Sequence, residues 1–329
     1  MINIDCLGYP IRIGVGLLDD AELPAARLFL VTDQNVADAG WPDRLRGEFC
    51  GRFVLPPGEA SKTMSQLEAL LEAMIEAGVG RSDHVVAVGG GMIGDLAGLA
   101  AALLKRGCGW VAVPTSLLAQ ADSAVGGKTG VNTPQGKNLI GAFHPPALVL
   151  IDPQTLSTLP QRELRSGYAE VVKYGLIGDE AFFAWCEQHV DKLLAGDSAA
   201  QLHAIEYCVR AKANYVAGDE RDLAGQRALL NFGHSFGHAI EAETGILHGE
   251  AVAIGMIMAF DLSVERGYCS PSDAERVFRH LEQVGLPTSS PIEPVRLKAR
   301  MRHDKKDGTL ILTHGIGHAF LAREMNSAN

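Results

Sequence analysis

The sequence lacks the features of membrane-spanning, secreted and nucleic-acid-binding proteins. Apolar runs such as Ala251–Phe260 reach about half of the roughly 20 residues that a transmembrane helix needs. The first residues form neither the basic nor the apolar segment of a signal peptide, so a cytoplasmic protein is expected. No basic block is present, and 29 Lys and Arg against 39 Asp and Glu give a net charge of −10. That charge repels a phosphate backbone, and neither a nucleic acid nor a membrane is expected as a partner.

Cysteine is also sparse. The six cysteines are widely spaced and form no C-x-x-C pair, which argues against a disulfide framework and a thiolate metal site. A metal would therefore have to be held by histidine and carboxylate side chains. The chain is 329 residues long, 47% hydrophobic and 21% charged, which indicates a globular protein of about two domains.

The first 150 residues alternate strand-like and helix-like segments. The predicted strands are Arg27–Val31, His84–Val88, Trp110–Val113 and Leu148–Ile151, and the predicted helices are Ser65–Ala77 and Ile93–Leu104. Such alternation predicts a parallel sheet with crossover helices.

After Asp152 the segments become longer and helical. The predicted helices are Arg162–Ile177, Ala181–Lys192, Ala199–Ala217, Ala228–Glu243, Glu250–Arg266 and Ser272–Val284, followed by a strand at Thr309–Thr313. The sequence therefore predicts an α/β domain over residues 1–152 and a mainly α-helical domain over residues 153–329. A cleft between two such domains is a usual place for a small-molecule site.

A glycine-rich turn follows the strand predicted at His84–Val88. Gly89, Gly91 and Gly94 satisfy G-x-G-x-x-G at the start of a helix, where backbone N–H groups bind a pyrophosphate. A tight strand–helix turn without a ligand is the alternative. The acidic residue expected roughly 20 positions later is missing, so Asp33 is the better candidate for a ribose contact.

The segment Asp122–Thr129 contains Gly-Lys-Thr but is not a P-loop, because Asp122 stands where that motif needs glycine. Lys128, Lys137 and Asn138 are predicted on glycine-rich loops, where they suit an anionic substrate. Solvated surface loops are the alternative.

Three histidines form the strongest cluster. His234 and His238 are four residues apart on one predicted helix face, and His248 follows closely. A catalytic zinc typically has three protein ligands and one open position. Glu170 lies among apolar residues with Lys173 on the same helix face. Core or capping histidines, and a plain ion pair, are the alternatives.

Seven segments in order identify a family resemblance. The segments are GGGMIGDLAG, VPTSLLAQADSAVGGKTGVN, GKNLIGAFHPP, SGYAEVVKYGLI, RALLNFGHSFGHAIE, HGEAVAIGM and DKKDG. Together they closely resemble the 3-dehydroquinate synthase family, from about Val31 to about Gly317.

The resemblance implies an NAD-binding α/β domain, a helical metal-binding domain and a homodimer. It also implies conversion of 3-deoxy-D-arabino-heptulosonate 7-phosphate to 3-dehydroquinate and phosphate, in the shikimate route to chorismate. The family reaction combines NAD-mediated transient oxidation, phosphate elimination, re-reduction, ring opening and intramolecular aldol cyclisation. Another sugar phosphate cyclase and a metal-dependent polyol dehydrogenase are the alternatives. Lys212 and Arg227, expected to bind a carboxylate, argue against the other cyclases, whose substrates lack one. The number of anion-binding residues argues against a dehydrogenase.

The resemblance also implies roles for single residues. Zinc or cobalt ligands match Glu170, His234 and His248, which moves His238 to the substrate phosphate. The positions that match NAD contacts are Asp33, Asn35, Glu59, Lys62, Gly89, Gly90, Gly91, Asp95, Thr115, Ser116, Lys128 and Lys137. The positions that match catalytic residues are Asp122, Lys173, Lys212, Arg227, Asn231 and His238. Further substrate contacts match Lys128, Asn138, Lys305 or Lys306, and Arg106, which the family lends across the dimer interface.

Overall fold

The described chain forms two compact units. The structure is a computed structural model that describes residues 1–219, 225, 227–293 and 309–323. The N-terminal unit consists of Met1–Leu159 together with Gln201–Ala213. The C-terminal unit consists of Pro160–Ala200 together with the described part of Asn214–Asn329. The domain boundary at residue 152 stays a prediction.

The N-terminal unit is built on a mostly parallel sheet. Its strands are β1 (Ile2–Cys6), β2 (Tyr9–Ile13), β3 (Arg27–Asp33), β4 (Glu48–Leu55), β5 (His84–Gly89), β6 (Gly109–Pro114), β7 (Lys128–Thr133), β8 (Gly136–Phe143) and β9 (Leu148–Ile151). The main sheet has the order β1-β2-β9-β6-β5-β3-β4, with β1 antiparallel to β2 and the other neighbours parallel. The central strands are buried along nearly their whole length, as expected for Val-rich parallel strands covered by helices.

Two of the three α-helices between residues 34 and 103 begin at a side-chain cap. The three are α1 (Gln34–Asp38), α2 (Met64–Glu76) and α3 (Gly91–Leu103). Thr63 caps α2 by accepting the backbone N–H of Gln66, and Leu67, Leu70 and Met74 of α2 are buried at helical spacing. The predicted α/β architecture of the N-terminal part is confirmed.

In the N-terminal unit, sequence analysis missed two hairpins and the strand β4. Leu7 and Gly8 both have positive φ, 54° and 82°, and make the two-residue turn between β1 and β2. The stretches around Lys128 and Lys137 are strands β7 and β8 of an antiparallel hairpin, so their prediction as loops was wrong. Gly141 of β8 lies directly against β7, and a Cβ on Gly141 would be 2.1 Å from the backbone oxygen of Thr129. Glycine at this position permits the close approach of the two strands and does not mark a loop.

The C-terminal unit is mainly helical, as predicted. The remaining helices are α4 (Gln161–Gly178), α5 (Glu180–Leu194), α6 (Ser198–Ala217), α7 (His234–Thr244), α8 (His248–Glu265) and α9 (Pro271–Val284). Strands β10 (Thr309–Thr313) and β11 (Ala319–Arg323) form an antiparallel hairpin. Residues 201–213 of α6 group with the N-terminal unit.

One predicted helix is interrupted. The segment Ala228–Glu243 is a short 3₁₀ turn, Arg227–Asn231, followed by α7 from His234. Gly233 between them has a φ of 79°, a left-handed conformation that ends one helical turn and starts the next. The prediction of one continuous helix was therefore wrong at its start.

The helices and the cysteines of the described residues bear on membrane insertion and on disulfides. Among the residues the structure describes, none of the helices is long and apolar enough to cross a membrane. The six cysteines all lie in this part of the chain, and none is joined in a disulfide.

Candidate functional site

Three side chains of metal-ligand type converge in the C-terminal unit. Glu170 of α4 and the first residues of α7 and α8, His234 and His248, each offer one ligand atom, and these atoms lie within 4.8 Å of one another. Glu170 Oε1 is 3.5 Å from Nε2 of His234 and 3.4 Å from Nε2 of His248. Within the described ranges, no other set of three His, Cys, Asp or Glu has such a spacing.

Glu170 has one oxygen in use and one in need of a partner. The ammonium of Lys173 donates to Oε2, and both side chains are fully buried. Oε1 is also buried but accepts no hydrogen bond. Such an orphaned buried oxygen is costly, and a divalent cation between it and the two imidazoles would satisfy it. The three residues therefore fit a metal ion.

The remaining ring nitrogens define which imidazole atoms are available. Nδ1 of His234 contacts the carbonyl oxygen of Phe232 at 3.2 Å, and Nδ1 of His248 contacts Oε2 of Glu241 at 3.1 Å. A carbonyl and an ionised carboxylate only accept hydrogen bonds, so Nδ1 donates in both rings. Nε2 of each ring is then the atom left to bind a metal.

Burial and charge shift the acid–base behaviour of the cluster in different directions. Burial raises the pKa of Glu170, but the charges of Lys173 and His234 and its contact with His248 outweigh burial and hold that pKa well below its usual value. Burial lowers the pKa of His234 to about 3. Burial also acts to lower the pKa of His248, but the carboxylates of Glu170 and Glu241 raise it to about 9. A metal ion must therefore displace a proton from His248.

A close contact between two helices brings Glu170 and His248 together. Ser166 lies one turn before Glu170, and its Oγ accepts the backbone N–H of Gly249 at 3.1 Å. A Cβ on Gly249 would lie 1.8 Å from the carbonyl oxygen of Ser166. Only glycine permits this approach of α4 and α8.

Of the other predicted residues of the C-terminal unit, one lies beside this cluster and two lie in the turn before α7. His238 is exposed one turn after His234, and the two rings are 5.2 Å apart. The structure thus groups Glu170, and not His238, with the two histidines. Arg227 is buried and Asn231 is exposed, at the two ends of the 3₁₀ turn before α7. Lys305 and Lys306 lie outside the described residues.

In the N-terminal unit, the predicted nucleotide-binding residues lie at the carboxyl ends of three parallel strands. Asp33 ends β3, Gly89 ends β5, and Thr115 directly follows β6. The chain leaves β3 for the edge strand β4 and returns to β5 on the other side of β3, so the strand order reverses between β3 and β5. Parallel α/β sheets bind nucleotides in the crevice at such a reversal.

Backbone and side-chain polar groups at the ends of these strands are held in place by local structure. Gly90 precedes α3 and Gly91 is its first residue, so backbone N–H groups at a helix start face this edge. Asp33 Oδ1 accepts the backbone N–H of Val36 at 3.2 Å. Burial raises the pKa of Asp33, and its hydrogen bonds from backbone N–H groups act to lower that pKa without cancelling the rise. Asn35 follows in α1, and Ser116 Oγ accepts a backbone N–H at 3.3 Å.

Lys62 is the centre of a second cluster of predicted residues. Its ammonium donates to the carboxylate of Asp95 and to Asn138 Oδ1, the latter at 2.6 Å, and lies 3.7 Å from Glu59. Burial acts to lower the pKa of Lys62, but Asp95 and Glu59 raise it; burial raises the pKa of Asp95. Lys137 is 4.0 Å from the same Glu59 oxygen. The structure thus brings these five predicted residues together.

The last predicted residues of this unit lie in α6, in the helical turn Ala119–Ser123, in the turn after α3 and in strand β7. Lys212 Nζ lies 3.0 Å from Asp122 Oδ2 and donates to the backbone oxygen of Asp122 at 2.9 Å. Lys128 is the exposed first residue of β7. Lys105 and Arg106 have φ of 49° and 67°, so Arg106 projects from a turn with two consecutive left-handed non-glycine residues.

Two further residues of these clusters escaped sequence analysis. Asn132 donates to Glu59 Oε1 at 2.7 Å, and its backbone N–H donates to the Lys62 carbonyl. Glu241 contacts His248 as described above. Glu241 could have been noticed in the sequence as an acidic residue in a largely apolar helix, seven residues before His248. Asn132 could not, because its contact with Glu59 forms only when the β7–β8 hairpin folds.

Comparison with known proteins places these residues in one family. The models described as 3-dehydroquinate synthase N-terminal and 3-dehydroquinate synthase C-terminal match residues 52–166 and 167–307. The 3-dehydroquinate synthase of Rhodospirillum rubrum is 53% identical over 98% of this chain and 90% of its own length.

Solved structures show the same fold. The 2-epi-5-epi-valiolone synthase of Streptomyces hygroscopicus, with NAD⁺ and Zn²⁺ bound, is 30% identical with a TM-score of 0.89, covering 98% of this chain and 95% of that one. A 2-deoxy-scyllo-inosose synthase complexed with carbaglucose-6-phosphate, NAD⁺ and Co²⁺ is 30% identical with a TM-score of 0.84, covering 95% and 91%. Full-length similarity, two matching family models and a shared fold agree: the chain belongs to the 3-dehydroquinate synthase family.

Proposed function

We propose that this chain converts 3-deoxy-D-arabino-heptulosonate 7-phosphate to 3-dehydroquinate and phosphate, as a phosphate-eliminating lyase. The observation that carries the proposal is the Glu170–His234–His248 cluster, with its orphaned carboxylate oxygen, in a chain 53% identical to a curated 3-dehydroquinate synthase. Its cytoplasmic location remains a prediction from sequence.

The proposed cofactors are NAD and one divalent metal, zinc or cobalt. When bound, NAD supplies reversible hydride transfer and the metal a Lewis acid for a substrate hydroxyl. Glu170, His234 and His248 would hold the metal. The strand ends at Asp33, Gly89–Gly91, Thr115 and Ser116 would hold NAD. Two solved relatives with NAD⁺ and either Zn²⁺ or Co²⁺ support this assignment.

The remaining residues of the C-terminal unit are proposed to bind and polarise the substrate. Lys173 holds Glu170 in place and adds a fixed positive charge that stabilises a developing oxyanion. Arg227 is proposed to bind the carboxylate, because a guanidinium forms two parallel hydrogen bonds to it. The exposed side chains of Asn231 and His238 are proposed to contact the phosphate.

The N-terminal unit is proposed to contribute cations and a positioned carboxylate. Lys128 and Asn138 lie on the β7–β8 hairpin and are assigned to the phosphate group. Lys212 is held by Asp122 in an ion pair of 3.0 Å, which fixes the ammonium for substrate contact. Lys62 links Asp95 to Asn138, so the proposed cofactor and substrate contacts of this unit share one hydrogen-bonded cluster.

A homodimer is proposed from the surface of β8. Leu139, Ile140 and Phe143 are 64%, 44% and 51% exposed, an unusual set of large apolar side chains on one exposed strand. A second copy of the chain that covers this strand would bury them. Arg106 is proposed to reach the partner subunit's substrate.

The test is a product analysis with three substrates. With NAD and zinc, the heptulosonate phosphate should give one phosphate per 3-dehydroquinate and no accumulating NADH. Sedoheptulose 7-phosphate, which lacks the carboxylate, should give no cyclised product, and glycerol-like alcohols should give no NADH. A His248→Ala chain provides the inactive control. Cyclisation of sedoheptulose 7-phosphate would indicate a sister cyclase, and NADH formation without phosphate release would indicate a dehydrogenase; either result contradicts the proposal.

A further inference from the structure

We propose that Glu241 is a positioning residue that selects the nitrogen of His248 available to the metal. The inference rests on the proposed function, because it concerns how one ligand of the proposed metal site is oriented. It assigns a role to a buried carboxylate that is outside the three ligands.

Glu241 is fixed by the end of helix α7. Gly245, with a φ of 68°, ends the helix, and its N–H donates to the carbonyl oxygen of Glu241 at 2.9 Å. The chain then turns and begins α8 at His248. The backbone of Glu241 thus closes one helix while its side chain, 7% exposed, reaches Nδ1 of the first residue of the next helix at 3.1 Å.

This contact determines the tautomer of His248. An ionised carboxylate has no proton to donate, so Nδ1 of the ring must carry one. Nε2, 3.4 Å from Glu170 Oε1, is then the ligand atom. Without the carboxylate, the neutral ring is free to place its proton on Nε2, where it blocks the metal.

The two histidines of the cluster are held by different acceptors. His234 donates to a neutral carbonyl oxygen, whereas His248 donates to a charge. Glu241 therefore places a negative charge directly behind His248, in addition to the buried pair of Glu170 and Lys173. A divalent cation gains from that charge, and carboxylates behind ligating histidines typically change metal affinity by roughly 10–100-fold.

In the metal-free protein the same carboxylate pairs with His248 at 3.1 Å. Removing one partner of a buried charged pair is destabilising, so Glu241→Gln is expected to lower the stability of the metal-free protein. Zinc affinity and the cobalt spectrum of the folded variant therefore separate a positioning role from a purely structural one.

The experiment compares Glu241→Gln and Glu241→Asp with a matched control, Glu243→Gln, which removes the same charge two residues along α7. Zinc affinity is measured by competition with a chromophoric chelator, the ligand field by the visible absorption of the cobalt-loaded protein, and stability by urea unfolding of the metal-free protein. Glu241→Gln should weaken zinc binding about 10–100-fold and alter the cobalt spectrum. Glu241→Asp, which keeps the charge, should lose less affinity than Glu241→Gln, and Glu243→Gln should match the wild type.

Several outcomes would overturn the proposal. They are a wild-type zinc affinity in Glu241→Gln, a wild-type cobalt spectrum in that variant, and an equal loss of affinity in Glu243→Gln. Failure of the wild-type chain itself to bind one zinc ion, or retention of that ion by His248→Ala, would instead refute the metal site of the proposed function.

Discussion

Lys173 and Glu170 form a buried ion pair on one face of α4, and each side chain is 1% exposed. The ion pair gives the two carboxylate oxygens of Glu170 different environments. Oε2 takes the ammonium, and Oε1 is left between the two imidazoles without a hydrogen bond. A buried ion pair alone is weak evidence for stability. An ion pair that leaves one buried carboxylate oxygen facing two histidines is the arrangement of a metal ligand.

The first prediction concerns metal content. The purified chain should hold one divalent ion, a chelator should abolish turnover, and zinc or cobalt should restore it, because three ligands and an open position bind such ions tightly. His248→Ala should lose the ion and the activity. His318→Ala, at an exposed histidine outside the cluster, serves as the control. Full activity of a metal-free His248→Ala preparation would contradict the assignment.

The second prediction concerns Lys62 and Asp95. Lys62→Met leaves the carboxylate of Asp95 without its ammonium, which should lower the free energy of unfolding by about 3–5 kcal/mol. The double variant with Asp95→Leu should recover most of this loss. Urea unfolding without NAD measures both, with the exposed Lys192→Met as a control. A double variant less stable than Lys62→Met would show that the two residues are not coupled.

The fold was predictable where one local pattern decides the structure. The Val-rich runs of β5 and β6 and the apolar spacing of α2 require only their own residues, and these elements were predicted. The hairpin β7–β8 was not, because Gly130 and Gly141 serve contacts between strands and resemble loop glycines in the sequence. Gly233 likewise looks like an interior helix residue until its φ of 79° is known.

For the metal cluster, too, local patterns were readable in the sequence and long-range contacts were not. Local spacing identified His234, His238 and His248 as metal-binding candidates but could not choose among them. Glu170 lies 64 residues before His234, so only the packing of α4 against α8 through Gly249 brings it into range. The family resemblance supplied that choice, and the structure agrees with it.

The third prediction concerns pH and His280, which is 3% exposed and whose Nε2 lies 2.8 Å from Tyr168 Oη. Burial lowers the pKa of His280 from 6.5 to about 4. The folded state therefore binds fewer protons than the unfolded state between those values, and stability falls as pH falls from 6.5 to 4, by up to about 1.4 kcal/mol per pH unit. His280→Gln should flatten this dependence in urea unfolding, and the exposed His203→Gln should not. An unchanged slope in His280→Gln would exclude His280 as its source.

The fourth prediction concerns Arg227. Arg227→Lys keeps the charge but loses the planar fork that binds a carboxylate through two hydrogen bonds. We expect kcat/KM to fall about tenfold or more, since hydrogen bonds to charged groups contribute about 1.5–3 kcal/mol. Steady-state kinetics with the exposed Arg279→Lys as control would measure the effect. Wild-type kinetics in Arg227→Lys would show that another residue binds the carboxylate.

The last prediction concerns Arg106 and the dimer. An arginine that reaches the partner subunit's substrate makes dimerisation a catalytic requirement, so Arg106→Ala and His248→Ala chains should each be inactive alone. In a mixed dimer, the Arg106→Ala subunit has an intact metal site and receives Arg106 of the partner subunit, which restores one of two active sites. Random mixing should therefore recover about a quarter of wild-type activity, because half of the dimers are mixed and each has one complete site. Activity is measured after refolding equal amounts of two differently tagged chains, with mixed dimers verified by tandem purification. Inactive verified heterodimers would place Arg106 in its own subunit's site or outside the reaction, and a monomeric wild-type chain would exclude the mechanism outright.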